Sequence, residues 1–207
     1  MKSIWKGSIS FGLVSIPIIL YSASKDSGVS FKMLHSTCKT PLRYKRWCET
    51  DEEEVAWKDV AKGLEIAEDT YFVLTKEELG KIRPEKTSVI NTTGFVSSSE
   101  IDSIYFDKNY FVGPQNEKDK AFFLFRDVLA ESAKIAVGSF VMHESEHLCI
   151  IKNYKRGLLL TTLKYADEIR DIDGIESLKG KAKITEAEMK LASELISKLD
   201  LKDFKIE

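Results

Sequence analysis

Residues 3–22 read SIWKGSISFGLVSIPIILYS, and this stretch gives the clearest indication of the fold. Ile9, Phe11 and Leu13 alternate with small or polar residues, which is the period of two that a half-buried β-strand produces. Pro17 restricts the continuation toward Tyr21 to a sheet edge, a bend or a break, because proline has no N–H to donate to a neighbouring strand. The start of the chain is therefore predicted to be β-structure.

The same short-strand pattern continues through the first 112 residues. Turn signals separate the apolar stretches, and one short helix is predicted at residues 76–82, ending before Pro84. Many short strands with few helices between them favour an antiparallel barrel or sandwich over a doubly wound sheet. The candidate strands in this half are residues 29–33, 41–48, 71–74, 89–96 and 104–112.

The second half is predicted to contain one long helix, a group of strands and a separate helix near the end. An apolar stripe at helical spacing predicts a helix over residues 118–137, with Gly138 at its end. Strands follow at residues 139–142, 148–154 and 158–164, and a charged link with two glycines follows them. Thr185 and Glu188 form a capping box that predicts the start of the last helix. Its apolar stripe, which needs a surface to cover it, consists of Leu191, Leu195, Ile196 and Leu199.

Composition and charge limit the class of protein. The 207 residues are 43% hydrophobic and 31% charged, which indicates a folded domain with room for a small appendage. No apolar run approaches the roughly 18 residues of a membrane span, so a soluble cytoplasmic protein without a membrane partner is expected. Three cysteines without a CxxC pair argue against a disulfide framework and fit a reducing compartment.

The net charge of −2 gives no indication of a nucleic-acid partner, but the charge is unevenly distributed. Residues 1–50 contain 8 Lys or Arg and 2 Asp or Glu, whereas residues 51–120 contain 9 and 16. Residues 121–207 are nearly balanced, with 14 and 15. A basic surface can therefore exist in the first quarter of the chain, although the whole chain is slightly acidic.

The sequence His143-Glu144-Ser145-Glu146-His147 formally matches the HExxH motif of zinc metallopeptidases. That motif needs a helix, because only a helix places both imidazoles on one face one turn apart. Strand-like segments flank the motif here, so it is predicted to be a hairpin turn. A zinc metallopeptidase is the alternative function, and no enzymatic activity is the preferred interpretation.

The cysteines give no clear metal site. Cys38 and Cys48 lie across a predicted turn, but zinc ribbons need two close pairs of ligands, and Asp51 occupies the position that would complete a second pair. Cys149 lies in an apolar run and is predicted to be a core thiol. Neither a metal nor another cofactor is expected, and the role of Cys38 and Cys48 stays open.

A basic stretch, Leu42-Arg43-Tyr44-Lys45-Arg46-Trp47, is the strongest candidate for binding. Cations spaced along an extended segment can follow a phosphate backbone, with aromatic residues packing beneath them. The alternative is a solvated strand face whose charges pair with the acidic residues 51–54. The residues alone do not decide between these two interpretations.

Several segments together resemble the prokaryotic Ku family, over about residues 3–200 in order. The opening segment is followed by Ile16-Pro17 and Leu20-Tyr21-Ser22, then by Phe31 to His35 and Arg43-Tyr-Lys-Arg46. The remaining matches are Lys62-Gly63, Ile104-Tyr-Phe-Asp-Lys108 and Leu163-Lys-Tyr-Ala-Asp-Glu-Ile-Arg-Asp171.

The resemblance implies an α+β, mainly β, fold with a β-barrel, a strand-rich bridge that encircles DNA, and a helical C-terminal arm. The barrel and bridge would occupy residues 1–170, and the linker and arm residues 171–207. The implied function is sequence-independent binding of double-stranded DNA ends by a ring-shaped homodimer. Such a ring would recruit an ATP-dependent DNA ligase for non-homologous end joining, and the protein would associate with the nucleoid.

The resemblance also implies roles for particular residues. It places Arg43, Lys45, Arg46 and Lys108 in the bridge-forming region as phosphate contacts, with Lys32 and Lys39 as further candidates. The stripe Leu191, Leu195, Ile196 and Leu199 would pack on the partner protomer.

Three departures from the family pattern limit what can be carried over. Many relatives have Cys where this chain has Asp51, and residues 143–146 carry acids where relatives are often basic. The sequence also ends at Glu207, without the longer basic tail of many bacterial members, so neither DNA binding nor ligase contact through such a tail is expected.

Overall fold

The computed structural model describes residues 1–25, 28–180 and 182–201. Strands dominate the chain up to residue 163, and the last helix follows several short 3-10 turns. None of the helices in these described ranges is long and apolar enough to span a lipid bilayer. The strands are β1 (Ser3–Phe11), β2 (Val14–Ser22), β3 (Trp47–Cys48), β4 (Glu53–Glu54), β5 (Lys62–Ala67), β6 (Thr70–Leu74), β7 (Val89–Ser97), β8 (Phe106–Pro114), β9 (Lys134–Met142), β10 (Ser145–Tyr154) and β11 (Gly157–Leu163), and the helices are α1 (Lys76–Ile82), α2 (Lys120–Ser132) and α3 (Glu186–Lys198).

Seven strands form a closed barrel in the order β1, β2, β8, β11, β10, β9, β7. All neighbouring pairs are antiparallel except β1 and β7, which run parallel with Ser8 opposite Val89. Closure leaves none of these strands as an open edge that could pair with another chain. The predicted mainly β fold with a barrel is confirmed.

Alternation along β2 builds one wall of the core. Ile16, Ile18 and Leu20 point inward and are at most 1% exposed. Pro17 lies between them, opposite Ser8 of β1, and the pairing of β2 with β8 begins only at Ile18. Pro17 therefore occupies a part of β2 that pairs with one strand only, where its missing N–H is tolerated.

Helix α2 packs against the barrel strands β2, β9, β10 and β11. Its buried side chains are Phe122, Phe125 and Leu129, and the carboxylate of Asp119 caps its N-terminus by accepting from two backbone N–H groups. The helix predicted at residues 118–137 is thus correct in place but wrong at its C-terminal end. Ala133 adopts a left-handed conformation (φ 52°, ψ 24°) that ends the helix, and β9 begins at the next residue.

Residues 23–88 connect β2 to β7 and are not part of the barrel sheet; we call them the bridge segment. It contains the hairpins β3–β4 and β5–β6, helix α1 and an isolated pairing of Leu34 with Pro41. None of its described residues is buried. The prediction of a strand at residues 29–33 is wrong. Of the strand predicted at residues 41–48, only Trp47–Cys48 is a strand in the structure. The other residues of these two segments lack a continuous neighbouring strand.

Contacts divide the chain into two units, Met1–Ala166 and Asp167–Glu207. The predicted boundary between residues 170 and 171 lies close to this division and stays a prediction. In the second unit, α3 begins after Thr185, whose hydroxyl accepts from the N–H of Glu188 while the Glu188 carboxylate accepts from the N–H of Thr185. The predicted capping box is confirmed, and every residue of α3 is solvent-exposed in this structure.

Candidate nucleic-acid interface

The basic stretch begins in a small hairpin at the start of the bridge segment. Leu34 pairs with Pro41, and the N–H of Leu42 donates to the carbonyl of Met33 at 3.0 Å. Lys39 is in the turn of this hairpin, with φ 57°, while Lys32 and Arg43 lie on its two arms. The chain therefore brings three cations, which the sequence separates by up to eleven positions, onto one short hairpin.

The cations of this hairpin are exposed to solvent. Among the residues that the structure describes, no carboxylate lies within ion-pair distance of Lys32, Lys39 or Arg43. These side chains are therefore accessible to an anionic partner. The proposed phosphate-binding role is geometrically open to all three, and it stays a prediction.

Lys45, in contrast to the three cations of the hairpin, forms an ion pair. Its ammonium lies 2.6 Å from a carboxylate oxygen of Glu54. The hydrogen bond to Glu54, and then the negative charge of Glu54, raise the pKa of Lys45 above its usual value. The alternative interpretation of the basic stretch, pairing with the acidic residues 51–54, is therefore realised at this one position.

Arg46 is held by contacts on two sides. Its guanidinium carbon lies 4.3 Å from the centre of the Trp57 ring, and its Nε–H donates to the carbonyl of Val55 at 3.2 Å. The N–H of Val55 returns a bond to the carbonyl of Arg46 at 2.9 Å. Arg46 is thus a positioned cation, and its terminal NH2 groups can still bind an anion in a forked geometry.

Lys108 is not in the bridge segment, and the predicted placement there is wrong. It lies on the barrel strand β8, where its backbone N–H donates to the hydroxyl of Thr162 at 3.0 Å. The apolar residues around it belong to an alternating barrel strand, which the sequence does not distinguish from a bridge strand. Its side chain is exposed, and its contact with phosphate stays a prediction.

The HExxH match does not have the geometry of a zinc peptidase. His143 and Glu144 form the two-residue turn between β9 and β10, with φ values of 52° and 69°. His147 is on β10, and one of its ring nitrogens is 3.2 Å from the carbonyl oxygen of Met142. The predicted hairpin turn is confirmed, so the two imidazoles do not share a helical face.

Two further pairs of side chains lie beside the basic stretch. A ring nitrogen of His35 is 3.0 Å from the sulfur of Cys38, and the thiol of Cys48 donates to the carboxylate of Asp51 at 3.2 Å. Hydrogen bonds from Thr40, and then from His35, lower the pKa of Cys38 to about 7. The contact of His35 with Cys38 was not predicted, although their spacing of three residues is the signal of a shared turn.

Comparison with known proteins identifies the family. The family model described as the Ku70/Ku80 beta-barrel domain matches residues 10–191. A relative named non-homologous end joining protein Ku, from Heliobacterium modesticaldum, is 35% identical over 199 residues, covering 96% of this chain and 72% of the relative. This chain belongs to the Ku family.

Relatives in other organisms carry the same name. The Archaeoglobus fulgidus protein is 34% identical over 211 residues, which cover all of this chain and 83% of the relative. The Bacillus subtilis protein is 33% identical over 203 residues, 98% of this chain and 65% of the relative. The resemblance inferred from short motifs is confirmed, and the seven-stranded barrel of this Ku chain lies largely within the matched residues.

Proposed function

We propose that this Ku chain binds the ends of double-stranded DNA, without sequence specificity, in double-strand break repair by non-homologous end joining. The relatives' shared name over nearly the full chain is the observation that carries this proposal. The exposed cations Lys32, Lys39 and Arg43, which form no ion pair with any described residue, support it, because phosphate contacts position a protein on DNA without reading its sequence. The role is one of binding, with no catalytic step assigned to any residue.

A homodimer is the proposed form of the protein. The bridge segment exposes large apolar side chains, among them Phe31 at 88%, Trp57 at 73% and Ile66 at 64% exposure. Extended apolar surface of this kind marks an interaction site, since leaving it in water costs free energy. A second copy that packs on this segment would cover it, and two bridge segments together would form a ring around the duplex.

The topology of the DNA gives the sharpest test of a ring. Binding should be strong on a linear duplex and much weaker on a covalently closed circle of the same sequence, because a closed ring can be entered only from an end. Cutting the circle once with a restriction enzyme should restore full affinity. Equal affinity for the circle and the linear form would contradict threading.

Phosphate contacts predict the salt dependence of binding. The logarithm of affinity should fall linearly with the logarithm of salt concentration, and Arg43→Ala should reduce the slope by about one unit. Arg156→Ala, in the turn between β10 and β11, removes the same charge elsewhere and is the matched control. An identical slope in wild type and Arg43→Ala would place the contact on another residue.

Recruitment of an ATP-dependent DNA ligase is the final part of the proposal. Adding this Ku chain to a ligase of end joining should raise the rate of joining on linear DNA at ligase concentrations too low for efficient joining alone. The increase in joining rate should persist with excess closed-circular DNA as competitor. It should disappear with excess linear DNA as competitor, because only free ends sequester the Ku protein. Stimulation that linear competitor leaves unchanged would argue against end-dependent recruitment.

A further inference from the structure

A pocket on the outer side of the barrel has no part in the proposed DNA binding. It lies where β2, β8 and the β10–β11 turn meet α2, and its volume is about 640 Å³. Binding sites are typically concavities of about 300–1,000 Å³ with a mostly apolar lining and a few polar groups. We call this feature the β8 pocket, because β8 contributes residues 111–114 to its lining.

Aromatic side chains line the β8 pocket. The pairing of β2 with β8 places Tyr21 directly opposite Phe111. The ring of Tyr154 stacks on that of Phe111, with the ring centres 5.7 Å apart and the planes 24° apart. Phe123 of α2 adds a fourth ring, and all four keep some exposure to solvent. Such a lining suits an aromatic or apolar group of a partner, because rings contribute most to binding when they fill a concave surface.

A glycine keeps the β8 pocket open. Gly113 is two residues after Phe111 on β8, so the two positions face the same side of the sheet. A Cβ at Gly113 would lie 3.7 Å from the Tyr21 ring, which is ordinary van der Waals contact. The backbone at this position therefore tolerates a side chain, and a large one would extend over the Tyr21 ring and fill the space.

Positive charge lies at one edge of the β8 pocket. Lys155 and Arg156 form the two-residue turn between β10 and β11, and both are exposed. Among the residues that the structure describes, no carboxylate lies within ion-pair distance of either side chain. The ammonium of Lys155 is 5.5 Å from the centre of the Tyr154 ring. A negative group beside an aromatic one would therefore complement this edge of the pocket.

Arg126 holds the same edge in place. Its guanidinium donates to the carbonyl of Arg156 at 3.1 Å and lies over the ring of Phe123, 5.1 Å from its centre. Because Asp127 pairs with Arg126 at 2.7 Å, the charge of Arg126 is already matched. Glu117 is the one carboxylate in the described lining, so the two exposed cations of the turn leave the pocket with an excess of positive charge.

We propose that the β8 pocket binds an acidic peptide segment of a partner protein, with an aromatic side chain of that segment over Phe111 and its carboxylates beside Lys155. The seven barrel strands form a closed sheet, so a peptide cannot add to them as a further strand and must bind through its side chains. Duplex DNA fits the pocket less well, since its outer surface presents phosphates and the pocket lining is mainly apolar.

Isothermal titration calorimetry of the full chain with a synthetic peptide tests the proposal without DNA. The probe is acetyl-Gly-Asp-Glu-Trp-Glu-Asp-Gly-amide, and it should bind saturably with one site per chain. One control peptide has Ala in place of Trp, and the other has Lys in place of every acidic residue. Each control peptide should bind at least about tenfold more weakly, because it lacks either the aromatic anchor or the negative charge.

A substitution that fills the β8 pocket gives the sharpest test on the protein. Gly113→Leu removes neither a charge nor a ring, and it should weaken binding of the probe at least about tenfold. Gly94→Leu is the matched control, because a Cβ there meets no atom within 4 Å and residue 94 does not line the pocket. Lys155→Glu should weaken binding about fivefold, whereas Lys58→Glu, at an exposed lysine of the bridge segment, should not.

Circular dichroism establishes that each variant is folded, and three outcomes would then overturn the proposal. One is a wild-type chain that does not bind the probe or that binds all three peptides equally. Another is full affinity for the probe in Gly113→Leu. The last is a loss of duplex affinity, or a change of mass in light scattering, in Gly113→Leu or Lys155→Glu, which would assign the pocket to DNA or to a second copy. Peptide binding and DNA-end binding are measured separately, so either can fail without the other.

Discussion

The guanidinium group of Arg46 lies over the indole ring of Trp57, with its central carbon 4.3 Å from the ring centre. The two residues are eleven positions apart, and the backbone pairing of Arg46 with Val55 brings them together. Because Trp57 is 73% exposed, the contact contributes little to folding. Its consequence is orientation, since a stacked guanidinium presents its outer NH2 groups in a fixed direction.

Removing the indole should weaken DNA binding. Trp57→Ala should reduce affinity for a linear duplex about two- to fivefold, which corresponds to a cation–π contact of about 0.5–1 kcal/mol at an exposed site. Trp57→Phe keeps an aromatic face and should lose less. Fluorescence anisotropy on a double-mutant cycle with Arg46→Ala measures the coupling, and additive losses would show that the ring does not act through Arg46.

Neutralising Glu54 should strengthen DNA binding. Glu54→Gln removes the carboxylate that pairs with Lys45 at 2.6 Å, so the ammonium becomes available for phosphate. The affinity should rise, and the slope of log affinity against log salt should steepen by up to about one unit. Glu53→Gln changes the net charge equally without breaking this pair. An equal rise in both variants would indicate a general charge effect instead.

The end of α2 should respond in opposite directions to two similar substitutions. Ala133→Gly should stabilise the protein by about 0.5–1 kcal/mol, because glycine adopts the left-handed φ of 52° without a steric penalty. Ala130→Gly, at an exposed position inside the same helix, should destabilise it by about 1 kcal/mol. Urea unfolding followed by circular dichroism measures both. Destabilisation by Ala133→Gly would contradict the left-handed helix end.

Close approach of two barrel strands makes Gly138 hard to replace. A Cβ at this position of β9 would collide with the backbone carbonyl oxygen of Asn91 on β7. Gly138→Ala should therefore lower the free energy of unfolding by about 1–3 kcal/mol. Gly94→Ala is the control, because a Cβ there meets no atom within 4 Å. Similar urea midpoints for the two variants would argue against this packing.

The apolar stripe of α3 should affect assembly more than folding. Leu191→Ser together with Leu195→Ser should loosen the proposed dimer, since both side chains are more than half exposed and are available to a partner. Light scattering over a concentration series should show a shift toward the monomer mass. Ser193→Ala and Ser197→Ala, on the same helix, serve as controls. An unchanged dimer in the double variant would assign the interface to the bridge segment.

Local patterns predicted much of the barrel. The alternation of Ile9 and Phe11 with small or polar residues correctly indicated a strand, because a period of two directs every second side chain to one face. The cap at Thr185 was predicted equally well, because both of its hydrogen bonds join residues three positions apart. The turn at His143 and Glu144 could be distinguished from a metallopeptidase helix by its β-like flanks.

Predictions failed where neighbours distant in sequence decide the structure. Ile135 and Ala136 fit a helical stripe, but they are buried strand residues that both pair with β7, and Ala136 also pairs with β10. The basic stretch has the composition of a strand, yet Leu42 to Arg46 lack the neighbouring strand that regular pairing requires. Nothing in the sequence shows that Lys45 pairs with Glu54 while Arg43 has no ion pair among the described residues, since the difference depends on which side chains Glu54 can reach.

By itself, the sequence determined the strand-rich fold class, the turn at His143 and Glu144, and the helix cap at Thr185. It also determined the family and the presence of a basic stretch in a slightly acidic chain. These features depend on residues within a few positions of one another, or on motifs in a fixed order. The tertiary structure alone decided the parallel pairing of β1 with β7, the place of Lys108 on the barrel and the contacts of Lys45 and Arg46. Such contacts arise only when barrel closure and hairpin formation bring distant residues together, and no local pattern encodes which residues will meet.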